Sequence, residues 1–348
     1  IHARVFRADS KAWDADATIE NNTLNSGGFN IASDGSGYVA VWRQQVDAQT
    51  TGPGYVYSSV YNGTWSTPQM VSDTVDSKTA RIVSGSPGKF MLAWYQGSGS
   101  TWNIYASEGI RSGPTISWRT PVKVSTASSA STPDIRLAAN GSGYAATWLR
   151  GDANSDNSLM ASIFNGTSWS VETILESGIL NVSTVMGRPI NLMYNTPVTT
   201  RLVSNNTGTG YAAAWTHMED SGNEILYASI FNGSSWTTTT NISTSTKKLG
   251  RLGMTGSSSG YTLVWDEFDT LPTWCSSTSN ICPNAGQTSA WVQTYSSGSW
   301  NAKTQLGGTN AFFPALSSNG NKYSVIWSQP GGDPNDPVVL DPWVRLGF

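Results

Sequence analysis

Four arginines stand at one recurring position. Arg81 (TARIV), Arg136 (DIRLA), Arg201 (TTRLV) and Arg251 (LGRLG) each precede an apolar Ile or Leu. Guanidinium groups gathered at one place repel unless an acid pairs with them or an anion joins them. Planar, bidentate recognition of a carboxylate is what arginine does best. Two readings therefore stand side by side: a structural ring bonded to neighbouring carbonyls and acids, and an anion-binding mouth. A second set of groups follows a recurring tryptophan and includes Tyr95, His217, Asp266 and Glu267. A retaining glycosidase needs an acid/base carboxyl and a nucleophile. Asp266, Glu267 and Tyr95 supply those types, while no spacing rule assigns them roles. No Ser/His/Asp triad and no phosphate-cradling glycine loop stands out.

Three smaller features complete the list of candidate chemistry. Asp152, Asn154 and Asp156 offer oxygens at alternate positions, as calcium loops begin, but the central Gly and closing acid of such loops are missing. Beyond that calcium reading the sequence calls for no cofactor. Trp102 and Trp274 fall outside the main tryptophan pattern, where an indole could stack on the C–H face of a pyranose. Cys275 and Cys282, the only cysteines, are expected to close a short disulfide loop that holds Trp274 still.

The elements that must position these groups are visible as a repeat. A Gly/Ser/Asn turn, an aromatic residue and a few small or β-branched residues lead to Trp42, Trp94, Trp148, Trp215, Trp265 and Trp327. This is a turn running into a buried strand. A second motif follows each first one, as in MASIFNGTSW (160–169) and YASIFNGSSW (227–236). The unit reads as four strands: a before the Gly turn, b ending on the first Trp, c along the YASIF-like run, and d carrying the second Trp. Units of roughly 50–67 residues with four strands each predict a β-propeller. The expected fold is all-β, a six-bladed propeller of antiparallel four-stranded blades, one domain over 1–348 or a module of a longer chain. The N-terminal residues 2–13 read as strands c and d and are expected to close the last blade. That leaves 341–348, which also reads as a strand c, as a spare edge for strand-to-strand assembly.

Composition narrows the partners. Charged residues are 12%, about half the usual share, and the net charge is −3 without a basic tract. A nucleic-acid partner is therefore not expected. No apolar run approaches the ~20 residues of a membrane span. Few charges, a local disulfide and a first residue that is not Met predict an extracellular or cell-surface protein whose signal peptide is gone. The expected partners are carbohydrate or another extracellular protein.

The c–d corner, in copies such as YNGTW, FNGTSW and YSSGSW, resembles the Asp-box of sialidases and related repeat propellers, although every copy lacks the box aspartate. The resemblance implies a sialidase-like propeller. It also implies that arginines at the start of strands a are placed like those that hold a substrate carboxylate in sialidases. Arg81-Ile82 and Arg136-Leu137 look like that motif but lack its Pro. The a–b and c–d turns are short and regular; the b–c and d–a loops (43–56, 149–158, 216–224, 266–288, 328–340 and 173–199) are long. Function on a scaffold gathers in such loops. The first reading is a glycan- or ligand-binding propeller, followed by an assembly subunit and by a sialidase-like hydrolase or lyase.

Overall fold

The computed structural model describes the chain except for residues 49–51, 131–134, 142, 152–155, 181–199, 206, 209, 219–223, 244–246, 269–287, 309, 331–339 and 348. Among the described residues every regular element is a β-strand. Six antiparallel sheets follow one another along the chain, each built in sequence order from its first strand outward. Sheet 1 comprises Ser26–Ser33, Tyr38–Gln45, Gly54–Tyr61 and Gln69–Met70; sheet 2 comprises Ser77–Ser84, Lys89–Ser98, Thr101–Ser112 and Thr115–Trp118, with Val122–Lys123. Sheet 3 is Ile135–Ala139, Tyr144–Gly151, Asp156–Phe164 and Thr173–Leu180, and sheet 4 is Thr200–Ser204, Tyr211–Met218, Glu224–Phe231 and Thr240–Ser243. Sheet 5 is Lys248–Ser257, Gly260–Phe268, Thr288–Ser296 and Ser299–Trp300, with Thr304–Leu306; sheet 6 is Phe312–Ser318, Tyr323–Pro330 and Leu340–Gly347.

The chain forms two compact units, one of residues 1–153 with 160–174, the other of residues 154–159 with 175–348. In the first unit the innermost strands of sheets 1, 2 and 3 lie in succession; in the second, those of sheets 4, 5 and 6 do. No sheet among the described residues is closed on itself.

Alternation along a strand decides what fills the space between sheets. In sheet 2, Phe90, Leu92 and Trp94 face Val39, Val41 and Val56 of sheet 1. Met91, Ala93 and Tyr95, one residue out of phase, face Ile135, Ala146 and Trp148 of sheet 3. The second unit repeats this: Leu263 and Trp265 meet Ala214 and Leu226, while Val264 meets Val325 and Trp327. Trp94, Trp148, Trp265 and Trp327 thus pack on the preceding sheet, and Trp42, Trp94, Trp215 and Trp265 are at most 1% exposed. The tryptophans of the c–d corners are half-buried instead. Trp65, Trp169, Trp236 and Trp300 cap an aromatic on strand c, as in Phe164–Trp169 at 5.5 Å and Tyr295–Trp300 at 5.3 Å, while Trp118 lies opposite Gly109.

Two expectations change. Residues 2–13 do not pair with the last sheet. His2–Ala3 pairs with Ala17–Thr18 and Phe6–Arg7 with Ala12–Trp13, and the hairpin packs Ile1, Ala3 and Ala17 onto Trp42, Tyr57 and Trp65 of sheet 1. The place of strand c in sheet 6 is taken by Leu340–Gly347, which was expected to be spare. Its register explains this. Trp343 lies opposite Trp327, as Tyr57, Tyr105, Tyr227 and Trp291 lie opposite Trp42, Trp94, Trp215 and Trp265. The hairpin, counted back from Phe6, offers only His2 there. The b–c loops also shorten, because strand b continues past its Trp to Gln45, Gly151, Met218, Phe268 and Pro330.

Candidate functional site

The residues after each strand-b Trp, expected to line a mouth, are used first to pin sheets together. Two positions beyond Trp, alternation returns the side chain to the indole's own face. Trp42 Nε1 donates to Gln44 Oε1 at 2.9 Å, Trp94 Nε1 to Gln96 Oε1 at 3.0 Å and Trp265 Nε1 to Glu267 Oε1 at 3.0 Å. The same side chain then reaches the connection that follows the preceding sheet or hairpin. Gln44 Nε2 donates to Asn21 Oδ1 at 2.8 Å, Ser243 Oγ donates to Glu267 Oε1 at 2.8 Å, and Gly308 N donates to Gln329 Oε1 at 3.2 Å. Where this position is cationic an acid completes the lock. Arg150 pairs with Glu172, which also accepts from Thr126. His217 Nδ1 lies 2.6 Å from Glu176 Oε1, and Glu176 Oε2 accepts Trp215 Nε1. Leaving a buried indole N–H unpaired costs about 1–3 kcal/mol, which the acceptor spares Trp42, Trp94 and Trp265; the Trp327 N–H, by contrast, has no partner among the described residues.

One position beyond Trp the side chain faces the next sheet. Arg43 donates from Nε to Ser77 O at 2.8 Å and from Nη2 to Asp76 Oδ1 at 3.0 Å. The Tyr95 hydroxyl, buried, donates to Leu149 O at 3.0 Å. Asp266 is fully buried and accepts the Arg251 backbone N–H in its own sheet. Glu267 is 3% exposed and also meets Lys303 Nζ at 3.3 Å. Asp266, Glu267 and Tyr95 are therefore committed to scaffold contacts, and none presents an open reacting atom on the rim.

The arginines divide. Arg81, Arg136 and Arg201 share one register, each opposite the residue before the strand-b Trp: Ala93, Thr147 and Ala214. All three are half-buried, and Arg81 and Arg201 donate to the carbonyls of Ala80 and Thr200. Arg251 leaves this register. A bulge between Leu249 and Leu252 sets Leu252 opposite Trp265, so Gly253, opposite Val264, holds the place the other arginines hold. Asn30 occupies it in sheet 1 and accepts the Ile82 N–H of sheet 2 at 3.3 Å.

Trp102 is 5% exposed, donates to Gly99 O at 2.8 Å and carries Lys78 Nζ 4.2 Å above its ring. So placed, it offers no open face to a sugar. Trp274, Cys275 and Cys282 lie outside the described residues, as do Asp152 and Asn154, and nothing is said of the Asp156 side chain. No cluster of three metal-ligating side chains occurs among the described residues. The sequence reading missed Gln44, Gln96 and Gln329; their signal was a glutamine recurring two residues after Trp. Glu172 and Glu176 had no such signal, since they reach their partners across the sheet.

No protein family model matches the sequence, and no curated protein does. Solved structures do resemble it. A sialidase of Trypanosoma rangeli, in complex with 2,3-difluorosialic acid, is 10% identical with a TM-score of 0.41, covering 99% of this chain. The chain spans 59% of that sialidase's length. A subtype N10 neuraminidase-like protein of A/little yellow-shouldered bat/Guatemala/060/2010 is 7% identical, TM-score 0.40, covering 93% of this chain and 95% of that one. A GH62 α-L-arabinofuranosidase catalytic domain of Coprinopsis cinerea is 8% identical, TM-score 0.37, covering 81% and 96%. At 7–10% identity and TM-scores of 0.37–0.41 these are remote likenesses.

Proposed function

We propose that this chain is an extracellular binding module that presents a glycan or similar ligand site on the face carrying its b–c and d–a loops. The observation that carries this reading is the pinned rim. The two residues after the strand-b Trp fix neighbouring sheets in both directions, and a strand end held in this way lowers the ordering entropy a ligand bound beside it must cost. Binding is favoured over hydrolysis because Asp266 and Glu267 are buried and already bonded. Arg81, Arg136 and Arg201, in one register, favour an acidic group on the ligand. A glycan array tests this. Binding should fall about tenfold or more when Arg136 or Trp274 becomes Ala and should survive Glu267→Gln. Absence of any bound glycan, or indifference to both alanine variants, removes the reading.

The proposal includes closure of the six sheets into a ring. The residue before the strand-b Trp is at most 1% exposed in Val41, Ala93, Thr147, Ala214 and Val264, yet 43% exposed in Ile326 of sheet 6. On the opposite side, an apolar residue of strand a packs on the preceding sheet in Ile82, Leu137, Met254 and Leu316. Its counterpart in sheet 1, Ile31, is 55% exposed. An open array ends on polar capping faces. Here both end faces keep isoleucine, which does not fit an open array and supports the closure reading. A second reading, assembly by strand addition, is favoured by sheet 6 alone having three strands among the described residues; light scattering that finds only monomer counts against it.

A further inference from the structure

The short-turn face, opposite the loops, holds a cavity of about 230 Å³ between sheets 4 and 5. Its walls include Asn205 and Phe231 of sheet 4 and Ser259, Tyr261, Tyr295 and Ser297 of sheet 5. We propose that this cavity is a binding site for a single neutral hexopyranose unit, independent of the loop face.

An internal comparison carries the argument. Between sheets 1 and 2 the equivalent cleft is filled by the protein itself. Arg111, on strand c of sheet 2, donates from Nε to Asp34 Oδ2 at 2.9 Å, and its Nη1 donates to Gly113 O at 2.8 Å. Asp34 opens the a–b turn of sheet 1 and also accepts the N–H groups of Gly37 and Gly88 at 3.0 Å. The Arg111 side chain is 6% exposed and the Asp34 side chain 0%. In sheets 4 and 5 both members are replaced. Asn205 follows Ser204 as Asp34 follows Ser33, the two serines pairing with Tyr211 and Tyr38. Ser297 is the sixth residue after Trp291, as Arg111 is after Tyr105, and those two lie opposite Trp265 and Trp94. Without the guanidinium plug the cleft stays open.

The groups left in it define the ligand. Among the described residues no charged side chain lines the cavity, so none of them offers an acid or an amine a counter-ion there. Tyr261 is 4% exposed and its hydroxyl has no hydrogen-bond partner among the described residues; it lies against Gly210 in the cavity wall. Asn205 accepts the Gly210 N–H at 3.1 Å through Oδ1, which turns its amide nitrogen, a donor, to the place where Asp34 presents an acceptor. Serine hydroxyls stand on the sheet-5 side. Tyr295, 6.1 Å from Tyr261, supplies an aromatic surface. Hydroxyls that both donate and accept, on a ring with an apolar C–H face, match this set. The volume suits one sugar ring, below the ~300–1,000 Å³ of drug-sized pockets.

The test is ligand-observed saturation-transfer NMR on the whole chain with methyl glucosides, galactosides and mannosides. At least one should show saturable transfer. Two variants should each weaken it about tenfold or more: Tyr295→Ala, which removes the ring surface, and Asn205→Asp with Ser297→Arg, which installs the plug. Circular dichroism melts check that both remain folded. Absence of saturable transfer from every glycoside, or wild-type affinity in either folded variant, overturns the proposal. The loop-face site fails or stands separately, because Arg136→Ala should leave this binding unchanged.

Discussion

Replacing Glu267 in two ways separates an acceptor from a catalytic acid. Its Oε1 takes hydrogen bonds from Trp265 Nε1 at 3.0 Å and Ser243 Oγ at 2.8 Å, with Lys303 Nζ at 3.3 Å. Glu267→Leu leaves two buried donors without an acceptor, at about 1–3 kcal/mol each. Lys303 is 34% exposed and regains water, so its loss adds only about 0–1 kcal/mol. The sum is roughly 2–7 kcal/mol. Unfolding entropy of about 2 cal/mol/K per residue over 348 residues is roughly 0.7 kcal/mol/K. Glu267→Leu should therefore lower the melting temperature by about 3–10 °C. Glu267→Gln keeps the carbonyl acceptor that Gln44 and Gln96 provide in sheets 1 and 2, and should melt within about 2 °C of wild type. Differential scanning calorimetry with a glycan-binding assay on both variants decides. Equal stability of the Leu and Gln variants would refute the locking role, and loss of function in a stable Gln variant would make the carboxylate itself the working group.

The Asp34–Arg111 pair gives a pH dependence. Burial alone would raise the Asp34 pKa, but hydrogen bonds from Ser36, Gly88 and the Arg111 guanidinium hold it well below the usual carboxylate value. A depressed folded-state pKa stabilises fully above the unfolded value of about 4 and loses that contribution as pH falls through the folded value. Melts should show no loss from this group between neutrality and about pH 5, and Asp34→Asn should remove the dependence below. Asp34→Ala strands a buried guanidinium and should cost about 3–5 kcal/mol, most of which Asp34→Ala with Arg111→Met recovers, as a chemical-denaturation double-mutant cycle measures. For ring closure, Ile31→Asp and Ile326→Asp should each destabilise by about 2 kcal/mol or more, whereas end faces open to water would tolerate either change within about 0.5 kcal/mol. His217→Gln should still cap the rim, while Glu176→Leu frees the Trp215 N–H and should lower stability by about 1–3 kcal/mol in the same assay.

Much of the scaffold can be read from the chain by eye, and the reason is geometric. A strand has period two, so Trp42, Trp94, Trp215 and Trp265 at the end of a small-residue run must be buried, and their partners Tyr57, Tyr105, Tyr227 and Trp291 follow from hairpin register. The same rule gives the acceptor two residues after Trp, since both side chains lie on one face. What the period does not encode is which sheet edge each terminal segment takes. Residues 2–13 and 341–348 both read as strand c, and it is Leu340–Gly347 that pairs with strand b of sheet 6, with Trp343 at the register position opposite Trp327.

The site groups show the same division. Sequence alone determined the residue types near the rim and the shared register of Arg81, Arg136 and Arg201, because local spacing fixes both. It placed Arg251 with them, and only the bulge in sheet 5, set by packing of Leu249 and Leu252, moved it away. Tertiary structure decided that Asp266 and Glu267 are buried acceptors and that Trp102 is covered. It also joined Asp34 to Arg111 across 77 residues while leaving the matching cleft beside Tyr261 empty of any such pair. Partners that meet across neighbouring sheets leave no periodic trace, so their pairing exists only once the sheets are packed.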